Sequence, residues 1–215
     1  GLWNAFVFFD TYASIDKPKL DGYNPDKSTL NITDKWLIER TNEFIDFATD
    51  SYENNAYFKV VEEFEKYTDD LTNWYIRINR RRFWKSEDND DKLNAYFSLY
   101  YALKNTMKVM APIIPFMTEY MWQEAVRVYE PNEKESVMLS GFATRTYDIN
   151  DNKLVENAEV VRNIITLAQR LRNENQIKVK QPLKTLFYTG DESIKSVVEE
   201  YLQIIKEELN IKEIV

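Results

Sequence analysis

The segment that decides the fold reads Asn73-Trp74-Tyr75-Ile76-Arg77-Ile78-Asn79-Arg80-Arg81-Arg82-Phe83-Trp84-Lys85. It closes a helix predicted to begin near Tyr57, because apolar residues recur there at steps of three and four. Five of the nine residues from 77 to 85 are cationic, although the whole chain has a formal net charge of −8. The segment therefore predicts an amphipathic helix whose last turns present positive charge to an anionic partner.

A helical wheel divides this segment into a buried side and a charged flank. The predicted buried side consists of Leu71, Trp74, Tyr75 and Ile78, and the predicted flank of Arg77, Arg80, Arg81 and Trp84. Guanidinium groups pair with phosphates, and an exposed indole can stack on an unstacked base. The alternative is that the arginines pair with acids of neighbouring helices near a helix C-terminus. Spacing alone leaves both interpretations open.

A second concentration of positive charge lies between residues 160 and 187. Its cations, which face only Glu174, are Arg162, Arg170, Arg172, Lys178, Lys180 and Lys184. Residues 43–70 instead hold nine acids against Lys59 and Lys66. Such asymmetry suits a polyanion that approaches from one side, whereas solvated helix faces are its ordinary explanation.

Composition excludes several classes of function. The chain has 215 residues and contains neither cysteine nor histidine, so thiolate or histidine catalysis and cysteine or histidine metal sites are excluded, and a cytoplasmic location is expected. Its four glycines are too dispersed for a phosphate-binding loop. No stretch is apolar enough to predict a membrane span. We therefore predict no catalytic residues and no metal site.

Apolar periodicity predicts a mainly α fold, with an antiparallel helix bundle followed by a small α+β region. The predicted helices cover residues 2–13, 34–52, 57–78, 93–110, 112–125, 154–171 and 194–209. Residues 136–140, 177–180, 183–188 and 211–215 are predicted to be extended. The predicted division is a bundle at 1–128, a linker at 129–150 and a partial α+β junction region at 151–215.

Three motifs in order resemble the anticodon-binding helical domain of class I aminoacyl-tRNA synthetases. They are Trp3-Asn4, Leu71-Thr72-Asn73-Trp74-Tyr75-Ile76-Arg77 with Arg80-Arg81-Arg82-Phe83-Trp84, and Ala111-Pro112-Ile113-Ile114-Pro115-Phe116-Met117-Thr118-Glu119. The resemblance covers residues 1 to about 128 and is nearest to the group specific for isoleucine, valine or leucine. Within that group, Ser136 to Ser140 and Arg170 to Leu183 resemble segments of the isoleucine enzymes, although methionine at 138 replaces their common histidine.

The resemblance implies that a longer enzyme ligates isoleucine to tRNA(Ile) with ATP and Mg²⁺, and that this piece binds the anticodon arm. The ATP-binding signatures of that family, His-Ile-Gly-His and Lys-Met-Ser-Lys-Ser, are absent, so the piece itself should need no cofactor. Its partners should be tRNA(Ile) and the rest of the synthetase, with no membrane and no DNA. The expected tRNA-binding residues are Arg77, Arg80, Arg81, Arg82, Trp84, Lys85, Arg170, Arg172, Lys178 and Lys180.

Two alternatives stay open at this point. One is the equivalent domain of the valine or leucine enzyme. The other is a helical scaffold that binds a protein through an exposed apolar face, which a large aromatic patch away from the arginines would favour.

Overall fold

The computed structural model describes residues 1–84, 89–151 and 153–215, and these form two compact units, Gly1–Asn150 and Asp151–Val215. The described chain is mainly helical, and its second unit contains a two-stranded parallel sheet. This agrees with the predicted mainly α fold and small α+β region. Residues 129–150 lie in the first unit, while the domain limits predicted from the sequence stay a prediction.

In the first unit, the α-helices are α1 (Leu2–Asp16), α2 (Ile32–Glu53), α3 (Tyr57–Asp69), α4 (Arg77–Trp84), α5 (Asp90–Met110), α6 (Pro115–Met121) and α7 (Arg127–Tyr129). Two π-helical segments, Asp70–Ile76 and Trp122–Val126, join α3 to α4 and α6 to α7. The second unit contains α8 (Leu154–Glu174), β1 (Leu183–Leu186), α9 (Glu192–Glu200), α10 (Leu202–Leu209) and β2 (Ile211–Ile214). Within the described residues, none of the helices combines the length and apolar character needed to cross a bilayer.

Asparagine side chains set the start of the two longest helices of the first unit. Asn31 accepts a hydrogen bond from the backbone N of Asp34 (3.0 Å), and Asn89 accepts one from the backbone N of Lys92 (2.9 Å). Each cap satisfies a backbone N–H that has no partner inside its helix. These caps place the start of α2 at Ile32, slightly before the predicted start.

The helix predicted over 57–78 is continuous to Trp84 but changes geometry within the aromatic motif around Trp74 and Tyr75. Residues Asp70–Ile76 form a π-helical turn, in which hydrogen bonds skip one residue more than in an α-helix. The additional residue in this turn rotates α4 about the helix axis relative to an uninterrupted α-helix. Asn79 and Phe83 are therefore buried and Ile78 is only half-buried, which corrects the predicted helical wheel.

A buried ionic cluster ties three helix ends together in the first unit. Arg82, in the last turn of α4, donates from Nη1 and Nη2 to the two oxygens of Asp34 at 2.7 Å each. The same guanidinium donates to the Asp91 carboxylate at 2.8 and 3.1 Å, and Tyr75 Oη donates to Asp34 at 2.8 Å. Asp34 and Asp91 lie in the first turns of α2 and α5, where negative charge is favourable, and Arg82 lies where positive charge is favourable.

The segment after α7 folds back onto the same core. Tyr147 is buried with Leu30, Ile38 and Tyr101, and its carbonyl accepts a hydrogen bond from Asn42 Nδ2 at 2.9 Å. Residues 143–149 therefore close one side of the core of the first unit. Earlier in this segment, Val137–Leu139 form a 3₁₀ turn, so the extended conformation predicted for 136–140 is wrong. Ser136 caps that turn by accepting from the backbone N of Met138.

In the second unit, β1 and β2 pair in parallel, with Leu183 opposite Ile211 and Leu186 opposite Ile214. Both strands were expected, but residues 177–180 form a turn instead of the third predicted strand. Buried Arg172 explains this, because Nη1 donates to the carbonyls of Lys178 (3.1 Å) and Gln181 (3.0 Å). These carbonyls consequently point inward at one guanidinium instead of outward into a sheet.

Two further predicted helix limits need correction. The helix predicted over 194–209 is divided into α9 and α10 at Tyr201, whose backbone leaves helical geometry at φ −101° and ψ 15°. The tyrosine side chain is buried at this break, so core packing outweighs helix continuity there. Helix α5 ends at Met110, as Pro112 predicts, but the next helix begins only at Pro115.

We expect Asp34→Asn to destabilise the first unit by about 3 kcal/mol, since removing one partner of a buried ion pair costs about 3–5 kcal/mol. Urea unfolding followed by tryptophan fluorescence measures this change, because all five tryptophans lie in the first unit. Arg81→Met, on the exposed side of α4, is the control and should change stability by less than about 0.5 kcal/mol. Unchanged stability of Asp34→Asn would show that the cluster does not hold the helices together.

Arg172→Met should loosen the sheet of the second unit, because the carbonyls of Lys178, Gln181 and Leu209 would lose their buried donor. We expect amide hydrogen exchange of Leu183 and Val215 to accelerate by at least about 10-fold. Arg170→Met is the control from the same helix, since Arg170 is exposed and pairs with Glu174 at 2.9 Å on the surface. Equal exchange in both variants would contradict the assigned role of Arg172.

Candidate nucleic-acid interface

Three of the arginines predicted on α4 lie on its exposed side. Arg77, Arg80 and Arg81 are exposed, whereas Asn79 and Phe83 on the same helix are buried. The π-helical segment sets this orientation, because it fixes which residues of α4 face the core. The result is a cationic surface on a chain that carries net negative charge.

Trp84 completes this surface as an exposed aromatic plane. Its side chain is 55% exposed, and its Nε1 donates a hydrogen bond to Tyr12 Oη of α1. The guanidinium carbon of Arg80 lies 5.6 Å from the centroid of the Trp84 ring, within the range of a cation–π contact. The indole is therefore held in place at its edge while part of its surface stays accessible. We call Arg80, Trp84 and Tyr12 the aromatic platform.

Phe83 anchors the platform from beneath. Its ring packs edge-on against Phe8 of α1 (centroids 5.1 Å apart) and against Tyr96 of α5 (5.0 Å). Because Phe83 is buried, the position of its neighbour Trp84 is set by the core of the first unit. A platform fixed in this way loses little conformational entropy when a ligand stacks on it.

Arg82 differs from its neighbours and is removed from the predicted interface. Its side chain is 11% exposed, and its guanidinium is bonded to the carboxylates of Asp34 and Asp91. Burial lowers the pKa of Arg82, but Asp34, Tyr75 and Asp91 together raise it above its ordinary value, so the side chain stays charged. A helical wheel of one segment could not predict this pairing of Arg82, because both carboxylates belong to other helices. Lys85, also predicted to bind tRNA, lies outside the described residues.

The predicted cations of the second unit also have different surroundings. Lys178 and Lys180 are exposed on the turn that Arg172 and Asn210 hold through backbone carbonyls. Arg170 is exposed and paired with Glu174. Arg172 is 3% exposed and donates also to the Leu209 carbonyl at 2.6 Å, so it supports the turn instead of facing a ligand. Among the predicted candidates of the second unit, Lys178, Lys180 and the ion-paired Arg170 are thus accessible, and Arg172 is not.

Tyr12 is the platform residue that the sequence prediction missed. It lies in the first helix, 72 residues before Trp84, and nothing in local spacing links the two. A weak signal exists, because Phe8 and Tyr12 are aromatic residues at an i, i+4 spacing, and their rings lie 4.9 Å apart. Only the packing of α1 against α4 turns that pair into part of a site.

Comparison with known proteins shows which family this chain resembles. Residues 34–187 match the family model described as the anticodon-binding domain of tRNA ligase. The chain is 36% identical over 217 residues to isoleucine–tRNA ligase of Clostridium novyi, covering 99% of this chain and 20% of that ligase. It is also 36% identical over 211 residues to isoleucine–tRNA ligase of Thermoplasma acidophilum, covering 98% and 19%.

A third relative, isoleucine–tRNA ligase of Clostridium tetani, is 34% identical over 218 residues, covering 100% of this chain and 20% of the ligase. The chain thus spans about a fifth of the length of these curated relatives. The matched residues include Arg80 and Trp84 of the aromatic platform and both lysines of the 178–180 turn, but not Tyr12. The chain belongs to the anticodon-binding domain family of tRNA ligases.

Proposed function

We propose that this chain is the part of an isoleucine–tRNA ligase that binds the anticodon arm of tRNA(Ile). The rest of such a ligase, located in the cytoplasm, would attach isoleucine with ATP and Mg²⁺. The aromatic platform and the exposed Arg77 and Arg81 beside it carry this proposal, because together they combine an accessible indole with exposed guanidinium groups on one helix. The family match and the isoleucine–tRNA ligase relatives support the choice of partner.

Arg77, Arg80 and Arg81 would contact phosphates, which set affinity and register without reading sequence. Trp84 would stack on an unpaired base or a ribose, a contact that single-stranded loops offer and base-paired stems do not. The bent loop of an anticodon arm supplies both kinds of group side by side. Double-stranded DNA would offer phosphates but no splayed base, so RNA is the better fit.

The helices of the first unit would form the antiparallel bundle that this family uses to present such a surface. In support, Asp16 at the end of α1 pairs with Lys92 at the start of α5 at 2.5 Å. Phe9, earlier in α1, lies 5.9 Å from Tyr100, later in α5. The two helices therefore run in opposite directions, as neighbours in such a bundle do.

The exposed Lys178 and Lys180 would add phosphate contacts from the second unit. Neither lysine is placed to read a base, because a flexible ammonium group binds phosphate as a point charge. Their contribution would therefore be to affinity and to its salt dependence.

Charge reversal of Arg80 and Arg81 to glutamate should weaken binding of a tRNA(Ile) transcript by at least about 10-fold at low salt. It should also make the slope of log K against log salt concentration shallower by about one to two units. Filter binding at several salt concentrations measures both quantities. Lys59→Glu with Lys66→Glu is a control with the same change in net charge, placed on exposed positions of α3. Equal loss in both double variants would show that net charge, and not this surface, governs binding.

Competition among transcripts of tRNA(Ile), tRNA(Val) and tRNA(Leu) tests the assignment to the isoleucine enzyme. Phosphate contacts are common to all three, so we expect differences of about 1–3 kcal/mol at most, arising from loop bases. The tRNA(Ile) transcript should be the strongest competitor. Preferential binding of either of the other two would favour the domain of the valine or leucine enzyme.

A protein-docking surface is a second candidate function, favoured by an exposed aromatic patch on α1 and α6. Trp3, Phe116 and Tyr120 are 45%, 91% and 51% exposed, and the Trp3 and Tyr120 rings lie 5.7 Å apart. The remainder of the ligase would be its natural partner. Phe116→Ser separates the two functions, because it should leave tRNA binding unchanged while changing the patch.

A further inference from the structure

A groove of about 620 Å³ lies in the first unit where α2 ends and α3 begins. Three of its lining residues are aromatic, namely Tyr52, Tyr57 and Phe142, and residues 112–113 of the connection from α5 to α6 add aliphatic surface. The groove is about 27 Å along α2 from Asp34 and the Arg82 cluster, at about 1.5 Å per residue. It is therefore remote from the cationic surface of α4.

Tyr52 lies at the centre of the aromatic wall. Its ring centroid is 5.7 Å from that of Tyr57 at an interplanar angle of 58°, and 5.5 Å from that of Phe142 at 83°. The Tyr52 hydroxyl donates to the Val109 carbonyl at 2.9 Å, so it already has a partner. Gly141, just before Phe142, has φ 77°, a left-handed conformation that favours glycine. Rings fixed at these angles leave a concave apolar surface.

Glu53 gives this apolar groove a negative charge. It is the last residue of α2, it is exposed, and it is the charged member of the groove lining within the described residues. In the part of the chain that the structure describes, its carboxylate has no hydrogen bond and no ion pair. Asp46, two turns earlier on the same helix, is instead paired with Arg145. The negative charge at the end of α2 is thus left for an external partner.

The backbone of α2 adds to this negative charge. The C-terminus of a helix has a partial negative charge, which a basic residue in the last turn commonly offsets. The last turn of α2 has no basic residue and contains Asp50 as well as Glu53. Lys59, in the first turn of α3, is exposed and forms no ion pair with Glu53. A cation that entered the groove would therefore be attracted to this helix end.

Aromatic rings beside an unpaired carboxylate suit an organic cation that has an apolar part. Ring faces attract lysine and arginine, and the aliphatic stems of these residues pack on apolar surface. A phosphate would instead be repelled by Glu53. Residues 43–70 contain nine acids against Lys59 and Lys66, so the wider surface also disfavours RNA. The charge of this face therefore favours a basic partner.

The extent of the apolar surface favours a peptide over a small amine. Phe58, next to Tyr57, is exposed, and so are Met138 and Leu139, shortly before Phe142. A small amine would leave these side chains uncovered, whereas a peptide segment can cover them. Contiguous exposed apolar side chains with polar surroundings are typical of protein interaction sites.

We propose that this groove binds a basic peptide segment of a second protein. One large apolar side chain of the segment packs between the rings of Tyr57 and Phe142, and a neighbouring arginine or lysine pairs with Glu53. The inference does not rest on the proposed function, because the groove and the cationic surface of α4 lie at opposite ends of α2.

Three blocked hexapeptides test the charge preference. They share a central Phe-Leu pair, which is flanked on both sides by Lys-Arg, by Gln-Gln or by Glu-Glu. NMR titration of the ¹⁵N-labelled chain should show binding of the cationic peptide with a dissociation constant on the order of 1 mM or tighter, and shifts at Thr49 and Ile113. The neutral peptide should bind at least about 3-fold more weakly, and the acidic one more weakly still.

Glu53→Gln removes the charge and keeps the shape of the side chain. Because Glu53 is exposed and unpaired within the described residues, this variant should fold as the parent does. The cationic peptide should lose about 3- to 5-fold in affinity at low salt, the neutral peptide should lose nothing, and the difference should vanish near about 1 M salt. Glu62→Gln, an exposed position of α3 outside the groove, is the matched control and should change neither affinity.

Phe142→Ser tests the apolar part of the site. It should weaken the cationic and the neutral peptide by at least about 5-fold, because one wall of the groove is lost. Phe116→Ser, in the exposed aromatic patch of α1 and α6, is the control and should leave both affinities unchanged. Urea unfolding checks that both variants remain folded.

Several outcomes would overturn the inference. These are equal binding of the three hexapeptides, no binding of the cationic one below about 10 mM, or binding that Glu53→Gln and Phe142→Ser leave unchanged. A dimer of the chain that Phe142→Ser abolishes would assign the groove to a second copy instead. Binding of the tRNA(Ile) transcript should be the same in Phe142→Ser and in the parent. Failure of the groove therefore leaves the proposed function intact, and failure of tRNA binding leaves the groove intact.

Discussion

The bidentate pair between Arg82 and Asp34 is the constraint on which the first unit depends. It joins the end of α4 to the start of α2, and through Asp91 it also holds the start of α5. Each charge sits at the helix end whose dipole favours it, so the pair joins ends that would otherwise lack partners. Together with the π-helical segment Asp70–Ile76, the pair holds α4 in one rotation about its axis, and this rotation determines which neighbouring side chains face outward. The aromatic platform therefore rests on a buried arginine that never needs to touch a ligand.

Arginines of one short run thus have opposite environments. Arg82 is bonded to the buried Asp34 carboxylate and to the half-exposed Asp91 carboxylate, whereas Arg80 lies over an accessible indole. The second unit repeats the division, since Arg172 organises a turn from within while Lys178 is exposed on it. Positive charge at such surfaces acts over about 8 Å at physiological salt, so local clustering outweighs the net charge of −8. A chain with an acidic average can therefore present a cationic face.

Much of the fold follows from local signals. Apolar periodicity predicted the helices, Pro112 predicted the end of α5, and the short stretches 183–188 and 211–215 were predicted to be the two strands that the structure shows. The exposed cations of α4 were also predicted, because several arginines in succession beside an apolar stripe cannot all be buried with carboxylate partners. The predictions that failed concern backbone geometry that depends on packing against other parts of the fold. The π-helical turn after Asp69 and the break at Tyr201 leave no distinct pattern in the sequence.

The sequence by itself determined the helical class, the family resemblance and the segment that carries positive charge, because periodicity, motif order and charge are properties of the chain read in line. Tertiary structure alone decided which arginines are accessible and that Tyr12 supports Trp84. The physical reason is that burial and hydrogen-bond partnership depend on residues distant in sequence. Residues 34 and 82, or 12 and 84, become neighbours only when the helices pack.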